Sequence, residues 1–250
     1  MLVSFSGWRA IFLGITNMNV NLKEYLSEFS QIVLPRECIV CNDICINIIC
    51  DSCYSKMVMI ENNFCTICGG ACEESSGICI NCENAPPYFT NCCSAVKYNK
   101  TSSNIVRSLK YSSRIEAADF MAQIMNEKIN LKDNFHIITS IPIHPLKRII
   151  KNFNHSEILA KEFAKIHNIP YKKLLRRVKF NKRQVRVSYE DRIQNVNGIF
   201  SLINKDIVKN KKILLIDDVT TTGATLNEAA RILFMNGALP SAITFANARY

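Results

Sequence analysis

Four C-x-x-C knuckles follow one another along the chain: Cys38 with Cys41, Cys50 with Cys53, Cys65 with Cys68, and Cys79 with Cys82. Each knuckle is a tight turn that sends two thiolates the same way, at the separation a tetrahedral zinc ion takes. Together they supply ligands for two all-cysteine sites. Four thiolates leave no open coordination position, so both ions are expected to be structural. A thioredoxin-like redox pair would show one such motif, not four in succession. The short spacers favour pairing in sequence, first knuckle with second and third with fourth, although an interleaved pairing would use the same residues. Gly69 and Gly70 suit the turn of a zinc ribbon. Few long apolar runs lie between Cys38 and Tyr88, so metal must replace much of a missing core there. Cys45, Cys72, Cys92 and Cys93 fall outside the pattern and read as small buried hydrophobes.

This use of cysteine fits a reducing compartment, and a cytoplasmic protein is expected. The opening MLVSFSGWRAIFLGITN is apolar but short, with Gly14 inside it and no convincing cleavage site. No run approaches the roughly 20 apolar residues of a membrane span. Met18 offers an alternative start, and residues 1–33 are expected to be partly disordered and then helical. The ribbon region runs over 34–87, and Ala85-Pro86-Pro87 closes it.

Over 88–250 the texture changes to alternating strand-like and helix-like stretches. CCSAVKY, FHIITSIPI, KKILLID and SAITFA read as strands. SSNIVRSLKY, RIEAADFMAQIMNEKI, HSEILAKEFAKIH and TLNEAARILFMNG read as helices, the third with Asn154 as its N-cap. The expected fold is α/β, a mostly parallel sheet with helices on both faces, preceded by the small Cys-rich double ribbon. Ligands of such sheets bind beyond the carboxyl ends of the strands.

There the segment LLIDDVTTTGAT places Asp217 and Asp218 after an apolar strand, followed by Thr221, Thr222, Gly223, Ala224 and Thr225 leading into a helix. Small residues and a glycine let successive N–H groups turn inward as a nest for phosphate oxygens, and the helix adds its positive end. The two carboxylates can take two sugar hydroxyls, directly or through a divalent ion. A sugar 5-phosphate fits these parts jointly. A strand, a threonine-capped helix and two solvated aspartates is the plainer alternative. The chain has no GxxxxGK[ST] for a nucleoside triphosphate and no GxGxxG for a dinucleotide.

LLIDDVTTTGAT resembles the diphosphate-sugar signature of type I phosphoribosyltransferases. From residue 34 to about residue 249 the chain is similar to the ComF family of competence-related proteins, a double zinc ribbon joined to a phosphoribosyltransferase domain. SIPIHP with Arg148, Phe153-Asn154, Gln184, Ser188, Arg192, Asn195, Gly198 and Phe200 fall at the family's spacing. Departures are Lys151-Asn152-Phe153-Asn154-His155 where the family usually has Arg-Gly-Phe-Asn-Gln, Ser140 for a common proline, and Asn181 for threonine.

The resemblance implies a type I phosphoribosyltransferase-like fold, Mg²⁺ with 5-phosphoribosyl-1-diphosphate, and a role in DNA uptake during natural transformation, with uptake-machinery proteins as partners. It places the ribose hydroxyls on Asp217 and Asp218 and the 5-phosphate on residues 221–225. Lys110, Arg148 and Lys151 are candidates for the diphosphate by position, solvated surface cations being the plain alternative.

The formal charge is +10, from 31 Lys and Arg against 21 acids, and favours an anionic partner. Its densest stretch is KKLLRRVKFNKRQVRVSYEDR. Two functional readings are compatible here: a loop closing over diphosphate, or Lys179, Lys182, Arg183 and Arg186, interleaved with Phe180 and Tyr189, running along single-stranded DNA. Plain solvated charge is the third. Three functions follow: a binder of the sugar diphosphate and DNA, a true transferase acting on a base or amine, and a sensor without turnover.

Overall fold

A computed structural model describes residues 36–61, 63–74, 76–111, 115–129, 131, 134–143, 154–179 and 198–250. The N-terminal segment 1–33, Arg148, Lys151, Phe153, and Phe180, Lys182, Arg183, Gln184, Arg186, Ser188, Tyr189, Arg192 and Asn195 lie outside them.

The cysteine-rich part consists of two small units. In the first, β1 (Arg36–Glu37) and β2 (Ile44–Cys45) pair antiparallel, and the short α1 (Asp51–Tyr54) closes the unit. The second ends in α2 (Ile80–Asn84). Then come β3 (Cys92–Lys97), α3 (Lys100–Tyr111), α4 (Ile115–Lys128), β4 (Ile137–Ser140), α5 (His155–His167), β5 (Leu175–Arg177), β6 (Phe200–Leu202), β7 (Lys212–Thr220), α6 (Ala224–Phe234) and β8 (Leu239–Asn247).

The main sheet has the order β3-β8-β7-β4 and is parallel throughout. Leu214 stands opposite Ile138 on one side and Ser241 on the other. Residues 213–216 are fully buried, as a run of branched apolar residues must be when both faces of a parallel sheet are covered. Alternation divides them. Leu214, Ile216, Ile243 and Phe245 face a layer carrying Leu109, Met121 and Phe163 of α3, α4 and α5. Ile213, Leu215 and Ala242 face α6, through Leu226, Ala229 and Leu233, with the β5–β6 ribbon beside them. Helices therefore lie on both faces, as the alternating pattern implies.

The two cysteine units attach to different cores. Cys38, Ile39 and Cys53 join the α3–α5 cluster, while Cys65, Cys68 and Cys82 join the α6 cluster. The linker between the units also covers the free edge of β3: Ile60 N–H donates to Ala95 O, and Lys97 N–H donates to Val58 O.

Candidate functional site

The carboxyl ends of β4 and β7 bring together groups from four elements. Asp217 and Asp218 sit near the end of β7, which continues four residues further than the apolar run. Asp217 Oδ1 accepts the Ser156 hydroxyl at 2.7 Å, from the first turn of α5, and the Asp218 N–H at 2.9 Å. Asp218 Oδ2 lies 2.5 Å from Lys110 Nζ in the last turn of α3. That helix is fixed at its start by a reciprocal pair, Asn99 N–H to Ser102 Oγ and Ser102 N–H to Asn99 Oδ1. Asn154 occupies the N-cap position of α5, but its side chain makes no capping bond. Its Nδ2 instead donates to Ile141 O at 3.0 Å, tying the helix entry to the end of β4.

Burial first, and the Asp218 charge second, push the Asp217 carboxyl up to about 7, against the lowering effect of Ser156 and Lys110. Burial alone would lower the Lys110 ammonium, yet Asp218 and then Asp217 carry it above its ordinary value. Arg177 of β5 is half-buried, 5.9 Å over the Phe200 ring, and close enough to feel Asp217. Its guanidinium is lowered by that burial and raised by Asp217.

Past Thr220 the chain turns into α6. Gly223 stands at the N-cap with φ 78° and ψ −7°, a left-handed conformation that a side chain would strain. Thr222 Oγ1 accepts the Ala224 N–H at 3.2 Å, and Thr220 Oγ1 is buried with no partner among the described residues. Thr222, Gly223 and Ala224 line one wall of a cleft of ≈ 770 Å³, and Cys68, Gly70 and Ala71 of the second cysteine unit line the other.

The eight knuckle cysteines gather in sequence order, Cys38, Cys41, Cys50 and Cys53 in one group and Cys65, Cys68, Cys79 and Cys82 in the other. Ligand atoms within each group lie within 4.8 Å of one another. Cys41 and Cys50 Sγ are 3.7 Å apart, and Cys68 and Cys79 Sγ 3.8 Å. A tetrahedron with Zn–S bonds of ~2.3 Å has edges of about 3.8 Å, so the donor sets fit zinc. Backbone N–H groups of Val40 and Cys50 point at Cys38 Sγ, and those of Cys68 and Cys79 at Cys65 Sγ. Burial would raise both thiols, but these donors bring Cys38 down to about 6 and Cys65 to about 7. Of the extra cysteines, Cys72 and Cys92 are buried as expected. Cys45 and Cys93 are only half-buried, and Cys45 Sγ donates to Asn47 O at 2.9 Å.

Of the cations expected near diphosphate, Lys110 is in the site, and Arg148 and Lys151 lie outside the described residues; Lys179, expected along nucleic acid, is exposed beside Gly198. Ser156, Arg177 and Arg249 were not singled out by sequence. A serine two residues past a helix entry and an arginine two past a strand carry no motif, and only the fold brings them to Asp217 and Gly223.

Among family models, one for a phosphoribosyl transferase domain matches residues 154–246, and one for a double zinc ribbon domain matches residues 29–83. Over 195 residues the chain is 24% identical to Competence protein F of Haemophilus influenzae, covering 75% of this chain and 84% of that protein. It is 26% identical over 200 residues to DNA utilization protein YhgH of Escherichia coli, covering 76% and 86%. Against Competence protein ComFC of Bacillus subtilis the identity is 24% over 205 residues, covering 79% and 82%. No helix among the described residues is long and apolar enough to cross a membrane.

Proposed function

The chain belongs to the ComF family of competence-related proteins, a double zinc ribbon with a phosphoribosyltransferase domain, and we propose that it binds 5-phosphoribosyl-1-diphosphate and single-stranded DNA in the service of DNA uptake or use. One observation carries the sugar-phosphate half of this reading. Asp217 and Asp218 stand near the carboxyl end of a central parallel strand, and Asp218 is five residues before a left-handed glycine at a helix start. Carboxylates and a phosphate-accepting turn are thus only a few residues apart on rigid elements.

In this reading Asp217 and Asp218 accept the ribose hydroxyls, and residues 221–225 receive the 5-phosphate. Ser156 orients the Asp217 carboxylate. Two adjacent carboxylates are the oxygen ligands that Mg²⁺ takes, and the ion would offset charge on the diphosphate. Lys110, held by Asp218 in the free protein, is near enough to exchange that partner for a diphosphate oxygen, and Arg177 adds a second cation. Any transfer to a base or amine would break the C1–oxygen bond through an oxocarbenium-like state, in which these residues act by electrostatics.

The DNA half rests on the positive charge, on the basic stretch around residues 172–192, and on the names of the relatives. Calorimetric titration with 5-phosphoribosyl-1-diphosphate and Mg²⁺ tests the first half, comparing wild type with Asp217→Asn/Asp218→Asn. Heat from wild type and its loss in the double variant is the expected result. No binding by wild type would end the proposal. Steady-state diphosphate release with nucleobases or amines then decides between binding and turnover.

A further inference from the structure

The cleft between the phosphate loop and the second cysteine unit contains a cation that the reading above leaves unused. Arg249, two residues beyond β8, threads between the walls. A Cβ placed on Gly223 would stand 3.5 Å from its Nη1, and one placed on Gly70 would stand 3.5 Å from its Cζ. Both walls are therefore bare of side chains where the guanidinium passes.

The residue is held from several sides. Its Nη2 donates to Cys68 O, and its Nε donates to Asn247 Oδ1 at 3.4 Å. Its own backbone carbonyl accepts the Ala71 N–H at 3.3 Å. Next to it, Asn247 Nδ2 donates to Gly69 O at 2.7 Å, and Ala248 N–H donates to Thr220 O at 2.9 Å. One short segment is thus stitched both to the third knuckle and to the residue that opens the phosphate loop. Among the described residues no carboxylate pairs with Arg249. Among the described residues two of its five side-chain N–H donors are engaged, and Nη1, the nitrogen nearest Gly223, makes no hydrogen bond with them.

We infer that Arg249 is a binding residue for the 5-phosphate: from the segment after β8, anchored on the second zinc ribbon through Cys68 O, it directs Nη1 to a phosphomonoester seated on residues 221–225. This rests on the sugar-phosphate reading and deepens it. A phosphate dianion on backbone N–H groups alone keeps much of its charge, and a planar guanidinium fixed at the rim supplies the charge-assisted bonds that hold it. It also gives the ribbon a task in ligand binding, since the carbonyl that orients Arg249 belongs to Cys68, a zinc ligand. A competing role exists for the same side chain, as counter-ion to the second thiolate group, and the experiment separates the two.

Wild type, Arg249→Gln and Arg249→Lys are titrated with ribose 5-phosphate and with 5-phosphoribosyl-1-diphosphate plus Mg²⁺, and the zinc content of each is measured. The expected result is an affinity loss of about 10- to 100-fold for both ligands in R249Q, by a common factor, with zinc retained and R249K intermediate. Unchanged affinity for ribose 5-phosphate overturns the inference, as does a loss confined to the diphosphate-bearing ligand. Loss of zinc with phosphate affinity intact assigns the counter-ion role and overturns it too. Should R249Q fail to fold, the ¹⁵Nε–¹Hε signal of Arg249 in wild type carries the test: it shifts when ribose 5-phosphate is added, and a stationary signal overturns the inference. Failure of wild type to bind either ligand is the distinct outcome that removes the sugar-phosphate reading itself.

Discussion

Lys110 Nζ and Asp218 Oδ2 approach to 2.5 Å, joining the end of α3 to the end of β7, with side-chain exposures of 28% and 9%. Removing one partner of such a pair leaves the other charge partly desolvated and uncompensated. Lys110→Met should therefore cost about 1–3 kcal/mol of stability, less than for a fully buried pair because water reaches the ammonium. Lys110→Met/Asp218→Asn should recover part of that cost. Urea denaturation of the double variant and of both single variants, Lys110→Met and Asp218→Asn, against wild type measures both, and a double-variant loss equal to the sum of the two single losses would show that the pair is not coupled.

Asp217 makes the site sensitive to pH. Its carboxyl titrates at about 7 in the fold, against an ordinary value of 3.8. Between those values the folded protein keeps a proton that the unfolded chain has released, so this group's contribution to stability falls as pH rises from about 4 to about 7. Ligand binding runs the other way, because a carboxylate that accepts hydroxyls or Mg²⁺ must be ionised. Affinity for 5-phosphoribosyl-1-diphosphate should drop by about tenfold per pH unit below about 7. The ligand's own phosphates also titrate there, so Asp217→Asn is the reference: the dependence that remains in the wild-type profile after the variant's is subtracted, measured by calorimetry, belongs to Asp217, and identical profiles would remove its role.

Much of this was legible because the informative residues are contiguous. Cys-x-x-Cys spacing specifies a donor set by itself, and the apolar run before Asp217 specifies a buried strand. What could not be read depends on residues brought together from afar. Ser156 reaches Asp217 because α5 enters at the end of β4, and Asn154 holds that entry through Ile141 O in place of capping the helix. The antiparallel β5–β6 pair, three residues per strand, is too short to show a period and stands beside a run of basic residues. Arg249 gains its meaning only once the third knuckle is packed on the end of β8.

Gly69 is where the second ribbon meets β3 most tightly. It adopts φ +66°, and a Cβ there would lie 2.3 Å from Cys92 O. Cys92 N–H donates to Ile67 O at 2.7 Å, so that carbonyl cannot readily retreat. Gly69→Ala combines a strained backbone with a clash against main chain and should destabilise the second unit by about 2 kcal/mol or more. Gly77, also at positive φ but with its nearest foreign atom 3.7 Å from the added carbon, should tolerate alanine better. Thermal melts of the two variants give the comparison.

Zinc stoichiometry follows from the thiolate groups. Elemental analysis should find two ions per chain in wild type and about one in Cys65→Ser, whereas Cys72→Ser should keep two. Cys72 is not a ligand: its Sγ lies 3.0 Å from Glu74 Oε2, and that contact and burial push the thiol up to about 11. Strong chelator should unfold the ribbon region, because metal stands there in place of a core. A chelated protein with an unchanged melt would refute this.

The DNA proposal makes a claim about charge that salt can test. Lys179 is exposed just past β5, and Lys182, Arg183 and Arg186 follow it in sequence. If these cations lie along a single strand, each releases condensed counter-ions on binding, and the logarithm of affinity falls with the logarithm of salt by about 0.7 per phosphate neutralised. Replacing Lys182, Arg183 and Arg186 by glutamine should weaken binding of a fluorescent oligothymidine and lower that slope by about 2. Binding of 5-phosphoribosyl-1-diphosphate in the same variant separates the two roles open to this stretch. Loss of the oligonucleotide alone marks a nucleic-acid surface, and loss of both marks a loop that serves diphosphate and DNA together. An unchanged slope would remove these residues from the DNA contact.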